Sequence, residues 1–239
     1  EIIIEKQTLP NGSGQSFEFT PSYGSNFFLT DGNQNNSGLL VPGTYSVSET
    51  VPIGWDQTSA ICSDGSAVGA INLAAGETVT CVFTNTQRGH IIVDKVTDPV
   101  GDPQSFSFNT TGAGYSGFSL TDAAAPNDQE VVPGAYSVLE SVPTGWDLTS
   151  ATCDAGETPA SLDVGPGETV TCTFNNQADA NIIVVKQTDP DGSLASFEFD
   201  SSYGVNFFLT DGQQNDSGDL NPGTYSVVEL VPAGWDMTS

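Results

Sequence analysis

Hydrophobic positions in this chain alternate with polar ones in short runs and never recur at helical spacing. Residues 2–8, Ile2-Ile3-Ile4-Glu5-Lys6-Gln7-Thr8, read as a first strand closed by the turn Leu9-Pro10-Asn11-Gly12. A second strand is expected at Ser16-Phe17-Glu18-Phe19, with both phenylalanines on one face, and a third around Phe27-Phe28-Leu29. A polar loop over 31–37 should follow, then the turn Pro42-Gly43 and the alternating strand Thr44-Tyr45-Ser46-Val47-Ser48-Glu49. Pro52-Ile53-Gly54-Trp55 comes next, then Cys62, a loop and a last strand over 78–85. Seven or so short strands in this span predict a two-sheet antiparallel sandwich.

The pattern then recurs. The only three lysines, Lys6, Lys95 and Lys186, lie 89 and 91 residues apart at one place in one motif. The repeat is therefore about 90 residues, an ordinary small-domain size. Units are expected at 1–88, 89–179 and 180–239; residues 16–59 align without a gap on 196–239, where the third unit stops short of its last strands. Those strands must come from continuing polypeptide or a neighbouring molecule, and the absence of a spare donor strand favours continuation. The connection Thr86-Gln87-Arg88-Gly89-His90 is short, which predicts a semi-rigid rod of beads.

Composition narrows the function. Thirty acids against four bases give a net charge of −26, which disfavours nucleic acid and anionic membranes as partners. The acids are scattered, as on a solvated surface, and no apolar run reaches the roughly 20 residues of a membrane span. Cys62 with Cys81, and Cys153 with Cys172, repeat one spacing inside each unit, which favours intradomain disulfides over a metal site and an extracellular setting.

Residues two apart on a strand share a face. Lys6 therefore extends the row of Ile2 and Ile4, Glu49 that of Tyr45 and Val47, and Asn85 that of Val79, Cys81 and Phe83. Lys95, Glu140 and Asn176 repeat the set in the second unit. Charges and amides in apolar rows are costly unless they satisfy one another. One reading is a half-buried Lys–Glu ion pair hydrogen-bonded by the asparagine. The other is a reaction: a desolvated neutral lysine amine attacks the asparagine side-chain carbonyl while the glutamic acid shuttles protons, giving a Lys–Asn isopeptide bond and ammonia.

With the first-strand lysine, the P-G-x-Y-S-V-x-E strand, P-x-G-W and the last-strand asparagine in place, each unit resembles the B-type repeats of collagen-binding surface proteins and Gram-positive pilins. The resemblance implies a transthyretin-like (prealbumin-like) sandwich. The fold class expected is thus all-β, in tandem immunoglobulin-like or prealbumin-like antiparallel β-sandwich domains. The resemblance also implies isopeptide crosslinks Lys6–Asn85 and Lys95–Asn176, with Glu49, Glu140 and Glu229 as catalytic acids; Lys186 has no asparagine partner in its unit. Asn175 adjoins Asn176 but faces the other way. The disulfides and the scarcity of other lysines depart from the family pattern.

The function expected is structural: an extracellular or cell-surface rod or filament of stapled domains. Its partners would be copies of itself, further repeats of the chain, or surface and matrix components. The alternative is an adhesin or stalk displaying a separate ligand- or carbohydrate-binding domain. No Ser/His/Asp set or metal-ligand cluster repeats across units, so no enzyme beyond a single-turnover self-reaction is expected. Trp55, Trp146 and Trp235 could stack on sugars, or cap the core. Loops 31–37 and 211–217 carry oxygens suited to Ca²⁺ without a defined calcium spacing, and no cofactor is otherwise expected. Sequons occur at Asn11, Asn35, Asn109 and Asn215, and His90 lies in the first connection.

Overall fold

The computed structural model describes residues 1–154 and 156–238; Ala155 and Ser239, the last position of the aligned 196–239 segment, lie outside them. The first unit contains β1 (Ile2–Leu9), β2 (Phe17–Pro21), β3 (Phe27–Leu29), β4 (Gln34–Asn36), β5 (Gly43–Tyr45), β6 (Val47–Thr50), β7 (Trp55–Cys62), β8 (Ile71–Leu73) and β9 (Val79–Gln87). The second contains β10 (Gly89–Asp98), β11 (Phe106–Thr111), β12 (Phe118–Leu120), β13 (Asn127–Val131), β14 (Gly134–Ser141), β15 (Trp146–Cys153), β16 (Leu162–Val164) and β17 (Thr169–Ala178). The third contains β18 (Ile183–Val185), β19 (Phe197–Ser201), β20 (Phe207–Leu209), β21 (Gln214–Asp216) and β22 (Val227–Leu230). The described residues form β-strands and connecting turns only, arranged as antiparallel-rich two-layer sandwiches.

In unit 1 the sheet β4-β1-β9-β7 faces β3-β2-β6, with β5-β8 extending the second layer. Unit 2 repeats this as β13-β10-β17-β15 against β12-β11-β14-β16. Inward rows fill each core: Ile2, Ile4, Phe17, Phe19, Val47 and Phe83 in unit 1 are all at most 2% exposed. Burying such side chains contributes roughly 1.5–3 kcal/mol each, which is what drives the two sheets together.

Four details depart from the sequence reading. Residues 34–36 are not loop but β4, which pairs with β1 (Ile4 opposite Asn35) and satisfies the backbone of its outer edge. The strand over 44–49 is interrupted at Ser46, because β5 pairs with β8 while β6 pairs with β2. The span from Trp55 to Cys62 is a full strand, concealed in sequence by a bulge between Gln57 and Ser59 that breaks its alternation. The connection between units is shorter than expected, since β9 ends at Gln87 and β10 begins at Gly89.

Two ladders are parallel: β1 with β9 and β10 with β17. Parallel first and last strands place a unit's entry and exit at opposite ends, which suits a rod. Tension along the chain then loads the β1–β9 ladder in shear across eight residue pairs, Ile2–Val79 to Leu9–Thr86.

Candidate functional site

Parallel pairing also builds the buried polar site. Lys6 lies opposite Phe83, and Asn85 opposite Thr8, so the lysine side chain leans forward to reach the asparagine on the neighbouring strand. Lys6 Nζ donates to Asn85 Oδ1 at 2.6 Å and to the carbonyls of Gln7 at 2.8 Å and Phe83 at 3.2 Å. From the facing sheet, Glu49 Oε1 stands 3.3 Å from Lys6 Nζ, and both side chains are fully buried. The Phe17 ring closes the site 4.2 Å from Nζ, and Trp55 packs edge-on against Phe17 at 5.3 Å.

Unit 2 reproduces the arrangement. Lys95 Nζ donates to Asn176 Oδ1 at 2.8 Å, with Glu140 Oε1 at 3.6 Å and the Phe106 ring at 4.1 Å. Asn175 instead points outward and donates to Ser150 Oγ. In unit 3, Lys186 Nζ lies 2.8 Å from Glu229 Oε1, partly exposed, with Phe197 beside it and no asparagine partner among the described residues.

Burial pushes the Lys6 and Lys95 amines down, against the opposing pull of Glu49 and Glu140. Burial likewise pushes both glutamic acids up, opposed by the lysine and the asparagine amide. These shifts bring amine and acid toward their neutral forms together. Apart from the ion pair, the Glu49 and Glu140 carboxyl oxygens and the Asn85 and Asn176 amide nitrogens have no well-formed hydrogen bond. A buried site with such polar atoms left over is poised to react or to rearrange.

Two supporting features escaped the sequence reading. One is that the tryptophans, which cap the core as one of the two sequence readings had it, do so edge-on against the phenylalanines beside the lysines, Phe17–Trp55, Phe106–Trp146 and Phe197–Trp235, and so cover the site as well. The other is Asp31, whose two carboxyl oxygens accept the N–H groups of Thr8 at 2.6 Å and Gly12 at 2.7 Å. Asp211 does the same for Thr188 and Gly192. These aspartates pin the turn after the lysine strand, which engages both carboxyl oxygens of one acid in each of the loops 31–37 and 211–217. The recurrence of Thr-Asp-Gly after the third strand of units 1 and 3 was the available signal.

Burial alone would raise the Asp31 carboxyl, but the Gly12 and Thr8 donors and the Lys6 charge outweigh it and hold it low. A depressed carboxyl stabilises the fold above its unfolded value, about 3.9, and that stability is lost as pH falls through the folded value. Asp31→Asn is therefore expected to lower unit 1 stability at pH 7 and to flatten its acid-unfolding limb. Thermal melts at pH 7 and at pH 2–4 measure this, and an unchanged acid limb would contradict it.

Cys62 and Cys81 are bonded at 2.03 Å, and Cys153 and Cys172 at 1.99 Å, each pair joining directly opposed residues of the seventh- and ninth-strand type. Of the sequons, Asn11 and Asn109 are exposed, while Asn35 and Asn215 lie in β4 and β21. His90 is not in a linker but in β10, with Nδ1 2.8 Å from Asp128 Oδ1.

A family described as the prealbumin-like fold domain matches residues 2–87 and again residues 91–178. No curated protein matches the chain. Among solved structures it is similar to the Bacillus anthracis TIE protein, at 19% identity and TM-score 0.38, over 99% of this chain and 46% of that one. It is also similar to a Streptococcus pyogenes major pilin, at 12% identity and TM-score 0.33, over 74% of this chain and 97% of that one. A streptococcal ancillary pilin matches at 14% identity and TM-score 0.35, over 100% of this chain and 92% of that one. The chain thus spans under half the length of the Bacillus protein.

Proposed function

The chain belongs to the prealbumin-like fold domain family, and from that premise we propose that it is a load-bearing, pilus-like rod at the cell surface, its units closed by self-formed Lys–Asn isopeptide bonds. The observation that carries this reading is the placement of Lys6 Nζ 2.6 Å and Lys95 Nζ 2.8 Å from their asparagine oxygens. Each contact lies inside a buried site beside a buried glutamate. The extracellular setting is supported by the two disulfides, which persist in oxidising compartments.

The chemistry follows from the neutral forms that burial favours. The Lys6 amine attacks Asn85 Cγ, forming the Nζ–Cγ bond. Glu49, protonated at the start, gives its proton to Nδ2 and takes one from Nζ, the Cγ–Nδ2 bond breaks, and ammonia leaves. Glu49 ends as it began. Fixed proximity supplies the rate: correctly held partners in a dry site can reach effective molarities of about 10⁵–10⁸ M.

The bond would join β1 to β9, the two strands that shear under load. Tension would then pass from one backbone to the next through a covalent link, bypassing the sandwich. Unit 3 has the lysine and the acid with no asparagine partner among the described residues, so in the 239-residue chain Lys186 serves as the uncrosslinked control.

Amine labelling in strong denaturant tests the reading. The N-terminus and Lys186 should be modified, while Lys6 and Lys95 should stay unmodified even in the unfolded chain. Labelling of all three lysines would reject it.

A further inference from the structure

The two joints between units share one backbone and carry opposite charge. At the first joint, Arg88 N donates to Gly54 O at 2.9 Å, and Gly89 pairs with Val131 of the next unit. At the second, Asp179 N donates to Gly145 O at 2.9 Å, and Ala180 pairs with Leu220. The side chains then diverge. The Arg88 guanidinium donates to both Asp56 carboxyl oxygens in unit 1, at 2.8 and 2.7 Å, and to Glu130 in unit 2 at 3.2 Å. A single planar, permanently charged fork thereby ties the two units together. The Arg88 contact also holds the Asp56 carboxyl below its usual range, so the clamp survives mild acid.

At the second joint the matching positions are Asp147, Asp179 and Asp219, three acids with no base among them. One Asp179 oxygen, Oδ1, is buried without a hydrogen-bond partner. The charged groups bearing on Asp179 are Asp147 from β15 of unit 2 and Asp219 from the segment after β21 of unit 3. Among the described residues no base is placed beside them: the three lysines lie in their own sites beside the glutamates, Arg88 serves the other joint, and His90 faces Asp128. Burial first, then Asp147 and Asp219, holds the Asp179 carboxyl above the ordinary range.

We propose that the joint between units 2 and 3 is a charge-controlled hinge, loose while Asp179 is ionised and closed when it is protonated, whereas Arg88 locks the joint between units 1 and 2. A raised carboxyl contributes to docking fully at low pH, and that contribution is lost as pH rises through the raised value. The hinge therefore closes on acidification. A rod built this way has one stiff joint and one that responds to acid.

The test is the spread of inter-unit distances between nitroxide labels, measured on the full chain in EDTA. Labels at the exposed positions Leu39→Cys, Val100→Cys and Val205→Cys report each joint in pairs. At neutral pH the unit 2–3 distribution should be broader than the unit 1–2 distribution, and lowering the pH should narrow it to the width of the first joint. Asp179→Asn and Asp179→Arg should both give the narrow distribution at neutral pH. Arg88→Asp should broaden the first joint. Equal widths at neutral pH in the unsubstituted chain would overturn the proposal, and that comparison depends on no charge variant folding. Acid narrowing that persists with neutral-pH breadth in Asp179→Asn would also overturn it, by assigning the response to another group.

Discussion

In single-molecule pulling, Asn85→Ala is expected to add an unfolding step of roughly 200 Å that the unsubstituted unit 1 never shows, however high the force. Lys6 and Asn85 are 79 residues apart, and a crosslink between them withholds that whole span from extension. The disulfide still retains the 19-residue separation of Cys62 and Cys81. The remaining chain releases at about 3.3–3.6 Å per residue, which sets the step. Asn85→Ala removes the electrophile and leaves the Lys6–Glu49 ion pair, so a folded variant is expected. Loop-closure entropy puts the thermal counterpart at about 4–5 kcal/mol. For a domain of this size that is a fall in melting temperature of roughly 20–35 °C. The lost hydrogen bond alone accounts for about 1–3 kcal/mol, so melting is the softer criterion and the step the sharper one. Identical force traces for the two proteins would reduce the site to a buried ion pair.

Removing the disulfide with Cys62→Ala and Cys81→Ala is expected to cost unit 1 about 3 kcal/mol, a fall of roughly 12–24 °C. The bond joins opposed residues of β7 and β9, so it fastens the strand that carries Asn85 from the side away from β1. Its mechanical signature should depend on the other staple. In the Asn85→Ala background, losing the disulfide should lengthen the step by roughly 60–70 Å, the extended length of the span it closed. With the isopeptide bond intact, it should change the force trace not at all. A longer step in the otherwise unsubstituted protein would mean that load reaches β7, and that the Lys6–Asn85 link does not carry it.

Much of this architecture can be read from side-chain alternation. Lys6, Glu49 and Asn85 each end an apolar row, and three polar residues in the wrong place on three strands must meet or be expelled. The structure brings that triad together in unit 1 and its counterpart Lys95, Glu140 and Asn176 in unit 2. What alternation does not encode is strand direction. The parallel β1–β9 ladder depends on how the intervening strands are wound, and it decides that Lys6 must lean forward past Phe83 to Asn85. Polar edge strands were also hidden: Gln34-Asn35-Asn36 has no apolar row, because β4 serves the backbone of β1 rather than the core. The Asp31 anchor was missed for a related reason, since its partners are backbone N–H groups that every residue but proline has. The charge reversal between Arg88 and Asp179 stands plainly in the sequence, but its meaning needs the Arg88 bridge from Asp56 to Glu130 and the backbone pairing that brings Asp179 to the matching place at the second joint.

The most direct measurement of the central claim is the intact mass of the unreduced chain, followed by peptide mapping. The expected result is a mass lower than the disulfide-bonded sequence by two molecules of ammonia, with linked peptides joining Lys6 to Asn85 and Lys95 to Asn176, and with Lys186 free. A mass accounted for by the two disulfides alone would contradict the account and leave a stapled sandwich whose buried lysines and glutamates are ion pairs.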